Sequence, residues 1–426
     1  MVKKLYIFIF LISISLFSSG QENLTLDKCR ARVIEYNPTL KQQEKLVESA
    51  EANIQAKKKD YFPTIDVNGD YTFLQNPIIL ETSPNPTEGP QNIYGLDAPI
   101  IQNVYRGSSV RRSNELAGLQ KEYASNSKDN IENFLLLETE RSFWNAVYNE
   151  ELLQLIVNYR QVIDDLAAVI KDKVEAEIIS RNDLLLVEVR QNEAELFGLV
   201  ATNQLDVSIM ELNRIIGYPL DQKHQLQGNL DEVLVSSIDY SLDAVLNNRP
   251  DIAAQNKNVE MQKTNAELVK SQYLPSVYAG IIPSWGVPNT NLGATDPNYN
   301  TAFLAGLNIP ITRWGKRKQD VGRELLLAEA ATYELKELQD EVKLDINSSS
   351  YQLAESIRRI ELTTESLQIA EENLSIMTDR YLEGLTSILE VLDAQEFWQR
   401  AYKDLLDAQV YYKRAFAYYK HSIDQI

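Results

Sequence analysis

Residues 315–426 contain no proline, and within them only Gly322 follows Gly315 before Gly384. Proline and glycine are the residues that most disfavour a helix interior, so this stretch is free to run as one very long helix. Its apolar residues, Leu335, Leu338, Val342, Ile346, Leu353, Ile357, Ile360, Leu367, Ala370, Leu374, Met377 and Tyr381, fall mostly three or four apart. That spacing makes one continuous packing stripe. The first break is Gly384, in Tyr381-Leu382-Glu383-Gly384-Leu385-Thr386-Ser387, after which Leu389, Val391, Leu392 and Phe397 restart a helical pattern. The pattern predicts a long helix, a tight turn and a shorter returning helix. At about 1.5 Å per residue, a helix over 315–383 is about 100 Å long, a rod that an ordinary globular domain does not need.

Residues 1–20 carry Lys3 and Lys4, then an apolar core over 5–17, then Ser18, Ser19 and Gly20. This is the layout of a cleaved signal peptide, and its core is shorter than the ~20 residues a membrane span needs. The chain is therefore expected to be exported. Cys29 is the single cysteine, so no intrachain disulfide can form, and it is expected to be a small buried residue of the first helix. A formal charge of −19 makes the chain a poor nucleic-acid binder.

The two halves of the chain resemble each other. Asn37-Pro38-Thr39 answers Arg249-Pro250-Asp251, and Asp60-Tyr61-Phe62-Pro63-Thr64 answers Gln272-Tyr273-Leu274-Pro275-Ser276. Leu96-Asp97-Ala98-Pro99-Ile100 answers Leu307-Asn308-Ile309-Pro310-Ile311, Gly107 answers Gly315, and Ser180-Arg181-Asn182-Asp183-Leu184-Leu185 answers Ser387-Ile388-Leu389-Glu390-Val391-Leu392. Each match lies about 210 residues downstream, in unbroken order, which points to a tandem duplication over 22–229 and 230–426.

None of the fourteen prolines lies between Pro99 and Pro219 or after Pro310. The proline-bearing segments alternate in period two: Ile65, Val67, Tyr71 and Phe73 against Asp66, Asn68, Asp70 and Thr72, and Phe303, Ala305, Leu307, Ile309 and Ile311 against Gly306 and Asn308. Strands are expected at about 62–75, 93–104, 275–286 and 300–312, one β-hairpin per half, with turn-rich loops over 76–92 and 286–300. Strands of about ten residues suit a transmembrane β-barrel, but four cannot close one and an open edge is not tolerated in lipid. Other copies of the chain would have to complete it. A soluble sheet packed on helices remains open on the pattern alone, and Trp285, Trp314 and Tyr94 read equally as membrane-interface residues or packed aromatics.

In the first half, residues 108–174 read as a second rod of about 100 Å, and 183–216 and 242–272 as helices of roughly 45–50 Å. The returning helix 388–420 and the first helix 24–60 pair in the same way. Two shorter helices laid end to end equal one long one, with residues 217–237 between them as a polar belt.

With this grammar the chain resembles the TolC-type outer membrane efflux proteins over its whole mature length. The residues that carry the resemblance are Arg249-Pro250-Asp251, Tyr273-Leu274-Pro275, the run 307–315 and, most specific, the run 381–395. The resemblance implies a mainly α fold with a small β part: a duplicated helix–β-hairpin–helix chain, a homotrimer with a twelve-stranded barrel in the outer membrane, and a tunnel of twelve helices through the periplasm. It also implies a periplasmic adaptor docked at the helix-turn tips, Ile178, Ile179 and Ser180 in one half and Gly384, Leu385, Thr386 and Ser387 in the other, with an inner-membrane pump beyond it. The function implied is a passive exit duct. A non-conducting periplasmic scaffold or adaptor would share the rods without needing alternating strands.

No nucleophile motif, phosphate-cradling glycine loop or clustered metal ligands mark an enzyme, and neither cofactor nor metal is implied. His224 and His421 are far apart in sequence and are expected at the surface. Glu390 and Asp393 share one helix face, and Asp183 occupies the position of Glu390 in the first half. They read either as a solvated face or, by the resemblance, as a cation-binding periplasmic gate together with Tyr381. The family's arginine two residues past the turn glycine is here Thr386, so gate closure must differ. Arg106, Arg111 and Arg112 at one strand-to-helix junction, and Arg313, Lys316, Arg317 and Lys318 at the other, set positive charge against a helix N-terminus. Lipid phosphate or plain solvation would compensate it. The longer spacing from Pro99 to Gly107 than from Pro310 to Gly315 predicts a bulge or longer crossover at the first junction.

Overall fold

A computed structural model describes residues 23–77, 79–80, 86–233, 240–287 and 296–426. The expected signal peptide lies outside the described residues. In chain order the elements are β1 (Asn23–Leu24), α1 (Leu26–Tyr36), α2 (Pro38–Lys59), β2 (Thr64–Ile65), β3 (Asn68–Phe73), β4 (Ile79–Leu80), β5 (Thr87–Glu88), β6 (Asn92–Asp97) and β7 (Ile100–Arg106). Then follow α3 (Ser109–Glu175), α4 (Arg181–Ile216), β8 (Gln225–Leu226), α5 (Leu242–Asn248), α6 (Pro250–Ser271), β9 (Ser276–Val287), β10 (Asn298–Asn308), α7 (Lys316–Leu382) and α8 (Ile388–Ser422).

The two rods stand as expected, α3 and α7 having 67 residues each. Every residue of the α7 packing stripe is buried or half-buried, and Val342, Ile346 and Leu353 are about 1% exposed. The shorter helices differ from expectation in one respect. Residues 24–60 and 242–272 each form two helices, broken before Pro38 and Pro250. Asn37 and Arg249 take extended ψ angles of 124° and 128°, because a following proline ring disfavours helical geometry in the residue before it. Each proline then opens the next helix, where its missing N–H has no partner to lose.

The described residues fall into two compact units that do not coincide with the sequence halves. One lies within 1–37, 134–238 and 348–426, the other within 38–133 and 239–347. In the first unit Leu24, Cys29, Val33, Phe143, Val147, Leu155, Leu212, Ile216, Leu406 and Val410 form one core cluster. β1 pairs in parallel with β8 at its side.

The second unit holds the sheet. β2 and β3 form one interrupted strand, β6 and β7 another, and β9 and β10 are continuous. The order is β2/β3, β6/β7, β9, β10, antiparallel throughout, so among the described residues two edges are left without a partner. The interruption is local chemistry: Pro99 lies between β6 and β7, and opposite it Pro283 accepts from the Ala98 amide at 2.9 Å. A strand residue directs its N–H and C=O to the same neighbour, so the donor that Pro283 lacks falls where the ladder is already broken. The bulge expected at the first junction sits between Asn103 and Tyr105. β10 ends at Asn308, and residues 309–312 are not strand.

Register separates the two faces. Tyr71 pairs Tyr94, Leu96 pairs Trp285, Trp285 pairs Tyr299, and Ile281 pairs both Ile100 and Phe303. Between them on the other face lie Asn68, Asp70, Thr72, Asp97, Ser284, Asn300 and Asn308, with Ile93, Ile282 and Leu304 among them, while the aromatic face stays exposed, Phe303 at 79% and Tyr71 at 66%. Among the described residues no helix is long and apolar enough to cross a membrane.

Candidate functional site

The helix-turn tips are built from short-range hydrogen bonds. At the end of α7, Gly384 donates to the Tyr381 carbonyl (3.0 Å) and Leu385 to that of Arg380 (2.8 Å), with Gly384 at φ 78°. This is the double-bonded left-handed cap that glycine favours. At the end of α3 the same turn forms without glycine: Glu177 donates to Val174 (3.0 Å) and Ile178 to Lys173 (2.9 Å), with Glu177 at φ 59°. A side chain in this region is strained, so Glu177→Gly should slow amide exchange across 175–181, a local gain of about 0.5–1 kcal/mol. Unchanged or faster exchange would show that the side chain's contacts outweigh the strain.

Each turn ends in a serine N-cap. Ser180 accepts from the Asn182 amide, while Ser387 accepts from the Glu390 amide (3.4 Å) and Glu390 reaches back to the Ser387 amide (3.3 Å), a reciprocal capping box. Glu390 therefore has a local role that its spacing alone does not reveal. Asp393 is exposed one turn further on. At the outer rim Ile178 and Leu385 are 69% and 63% exposed, and Ile179 packs inward beside Leu184.

Beneath the turns, Tyr159, Ile163, Ile170, Val187, Tyr381, Ile388, Val391 and Leu392 make a second core cluster. Tyr381 is 8% exposed and its hydroxyl makes no hydrogen bond. Lys173 Nζ stands 4.8 Å from the centre of its ring. Burial first, and the nearby Asp183 carboxylate second, push the Tyr381 phenol above its usual range. The structure thus brings Asp183 to Tyr381 and adds Lys173, a cation that the sequence reading missed. Thr386 is half-buried and no contact ties it to this group.

The basic junctions divide in two. Arg112 pairs with Glu115 (2.7 Å), Lys316 pairs with Asp320 (2.7 Å), and Arg313 lies over the Tyr273 ring, whose hydroxyl is bonded to Asp320. Among the described residues Arg106, Arg111, Arg317 and Lys318 make no such contact.

Residues 241–418 match the outer membrane efflux protein family. The fold likeness covers the rest. A membrane protein from Pseudomonas aeruginosa is 14% identical with a TM-score of 0.81, covering 93% of each chain. The Campylobacter jejuni CmeC outer membrane channel is 14% identical with a TM-score of 0.79, covering 94% of this chain and 85% of its own. The Neisseria gonorrhoeae MtrE outer membrane channel, in its open state, is 17% identical with a TM-score of 0.78, covering 93% and 88%. Among curated proteins no sequence matches.

In the turn after α4 the structure corrects one expectation. His224 is buried at 3% exposure, with Nε2 2.9 Å from Asn213 Oδ1. Asn213, fully buried, donates to the carbonyls of Pro219 (3.1 Å), Leu220 (3.3 Å) and Gln222 (2.8 Å), so one amide holds the turn after α4 closed. Beside it the Arg32 guanidinium stacks between the Tyr36 and Tyr218 rings, at 4.3 and 3.6 Å. His421 is half-buried. Cys29 is buried as expected, and burial pushes its thiol up to about 12, which keeps it unreactive.

Proposed function

We propose that this chain is the outer membrane exit duct of a tripartite efflux or type I secretion system. The observation that carries the reading is the two-faced sheet: Tyr71, Tyr94, Trp285, Tyr299 and Phe303 on one exposed face, Asp and Asn side chains concentrated on the other, and two edges unpaired among the described residues. Lipid would leave those edge groups without partners, so copies of the chain must join edge to edge, and three copies supply the twelve strands of a closed barrel. Apolar residues on α7 that its buried stripe leaves exposed, Leu344, Tyr351, Leu362, Ile369 and Ile376, recur at seven- or eleven-residue spacing, as a seam for a neighbouring helix would. A helical scaffold alone gives no reason for a lipid-compatible sheet face.

In this reading the exposed Ile178 and Leu385 receive a periplasmic adaptor, through which an inner-membrane pump delivers substrate. Asp183, Tyr381 and Lys173 form a latch at the periplasmic gate, with Lys173 in place of the cation missing at Thr386. Arg106, Arg111, Arg317 and Lys318 face headgroup phosphate. Glu390 and Asp393, repeated by threefold symmetry, attract cations to the constriction. Reconstituted in planar bilayers, the protein should give stepwise conductance that di- or trivalent cations block from the periplasmic side. Glu390→Gln with Asp393→Asn should relieve the block and leave the trimer intact, since glutamine can still complete the cap. Absence of conductance sinks the duct, whereas block that survives the double substitution sinks only the gate assignment.

A further inference from the structure

Within the first unit, three arginines from three helices converge on one cleft of about 420 Å³: Arg141 of α3, Arg214 of α4 and Arg414 of α8. Glu138, Ser142, Asn145, Glu211 and Ile215 complete the lining. None of this belongs to the gate, the tips or the sheet.

The charges in the cleft do not balance. Arg141 is matched by Glu138 at 2.9 Å, an exposed pair on one helix and therefore weak. Among the described residues Glu211 makes no ion pair with Arg214, and the exposed Arg214 has no hydrogen-bonded partner. The Arg414 guanidinium, half-buried, donates to the neutral Asn145 Oδ1 at 2.7 Å. Its proton affinity is lowered, by burial first and by Arg141 second, and Asp407 offsets this only in part. Asp407 is itself engaged by Tyr148 Oη (2.6 Å) and Lys403 (2.7 Å). The Ser142 hydroxyl is buried in the lining without a hydrogen bond. A set of planar donors short of negative charge, with an unused hydroxyl among them, suits a group bearing several oxygens, which guanidinium forks grip in bidentate fashion.

We propose that this cleft is an oxyanion site, taking the phosphate or carboxylate group of a small soluble ligand between Arg141, Arg214 and Arg414. A bound anion would replace repulsion among three helices by attraction to a common centre. Ligand binding to the folded state then raises its apparent stability.

The test uses the detergent-purified full-length protein, with inorganic phosphate and citrate as probes against chloride at matched ionic strength. Phosphate or citrate should raise the midpoint of thermal unfolding, and calorimetric titration should give saturable binding. Arg214→Gln, at an exposed position that leaves the fold undisturbed, should weaken binding at least tenfold, and Arg414→Gln should abolish it. Equal responses to phosphate and chloride, or binding unchanged in Arg214→Gln, would overturn the proposal. So would an absence of anion binding coupled with loss of assembly in Arg414→Gln, which would mean that a carboxylate of a neighbouring copy fills the cleft.

Discussion

Phe303→Arg should nearly abolish membrane-inserted protein, while Asn300→Arg should leave it close to wild type. Phe303 is 79% exposed on the apolar face of β10, opposite Ile281 and one face-step from Thr301 and Ala305. Asn300 pairs with Ser284 on the polar face. An arginine on the lipid face of a barrel costs about 2–4 kcal/mol near the bilayer midplane, whereas a lumen-facing one is solvated. In a symmetric assembly the cost recurs in every copy. The measurement is the yield of heat-resistant oligomer in the outer membrane fraction. Equal yields for the two variants would mean that the apolar face does not meet lipid, and the sheet would then have to pack against protein.

Gly107→Ala should be far more damaging than Gly315→Ala, although the two glycines occupy matching strand-to-helix junctions. Both have positive φ, 59° and 80°, so alanine is strained at either, by about 1–2 kcal/mol. The surroundings differ. A Cβ on Gly107 would lie 2.2 Å from the Ser271 carbonyl oxygen and 2.8 Å from Leu274 Cβ, whereas at Gly315 nothing lies within 4 Å. The Ser271 carbonyl accepts from the Leu274 amide at 3.1 Å, so it cannot withdraw without opening the turn that joins α6 to β9. Adding the collision to the strain places Gly107→Ala above about 4 kcal/mol, in the range where a single change disrupts folding. Urea midpoints of the purified proteins would separate the two, and similar midpoints would refute the close approach.

Much of the fold was legible because its rules are local. The absence of proline and the three-to-four spacing of apolar residues marked out both rods, and α7 ends within two residues of Gly384, where a left-handed cap favours glycine. Period-two alternation located the strands, since successive side chains of an extended chain must point to opposite faces. The rule that misled was equally local. The spacing around Asn37-Pro38 and Arg249-Pro250 predicts unbroken helices, yet a proline constrains the residue before it, and both helices break there.

The candidate site was less legible because its contacts join distant segments. Lys173 and Tyr381 lie more than 200 residues apart, and no spacing relates them. His224 reads as a surface residue in a polar stretch until Asn213, one helix earlier, closes the turn around it. Glu140 is 2% exposed and is held by Arg30 of α1 and Lys420 of α8, a buried carboxylate whose two cations come from opposite ends of the chain. Sequence by itself determined the two long rods, the approximate place of the strands and which stripe of α7 faces inward, because backbone sterics and hydrogen-bond periodicity act over a few residues. Tertiary structure alone decided which charges are paired, which hydroxyls are left without partners and which cations gather in one cleft. Desolvation and Coulomb energies depend on distances between groups in space, and those distances exist only once the helices have packed.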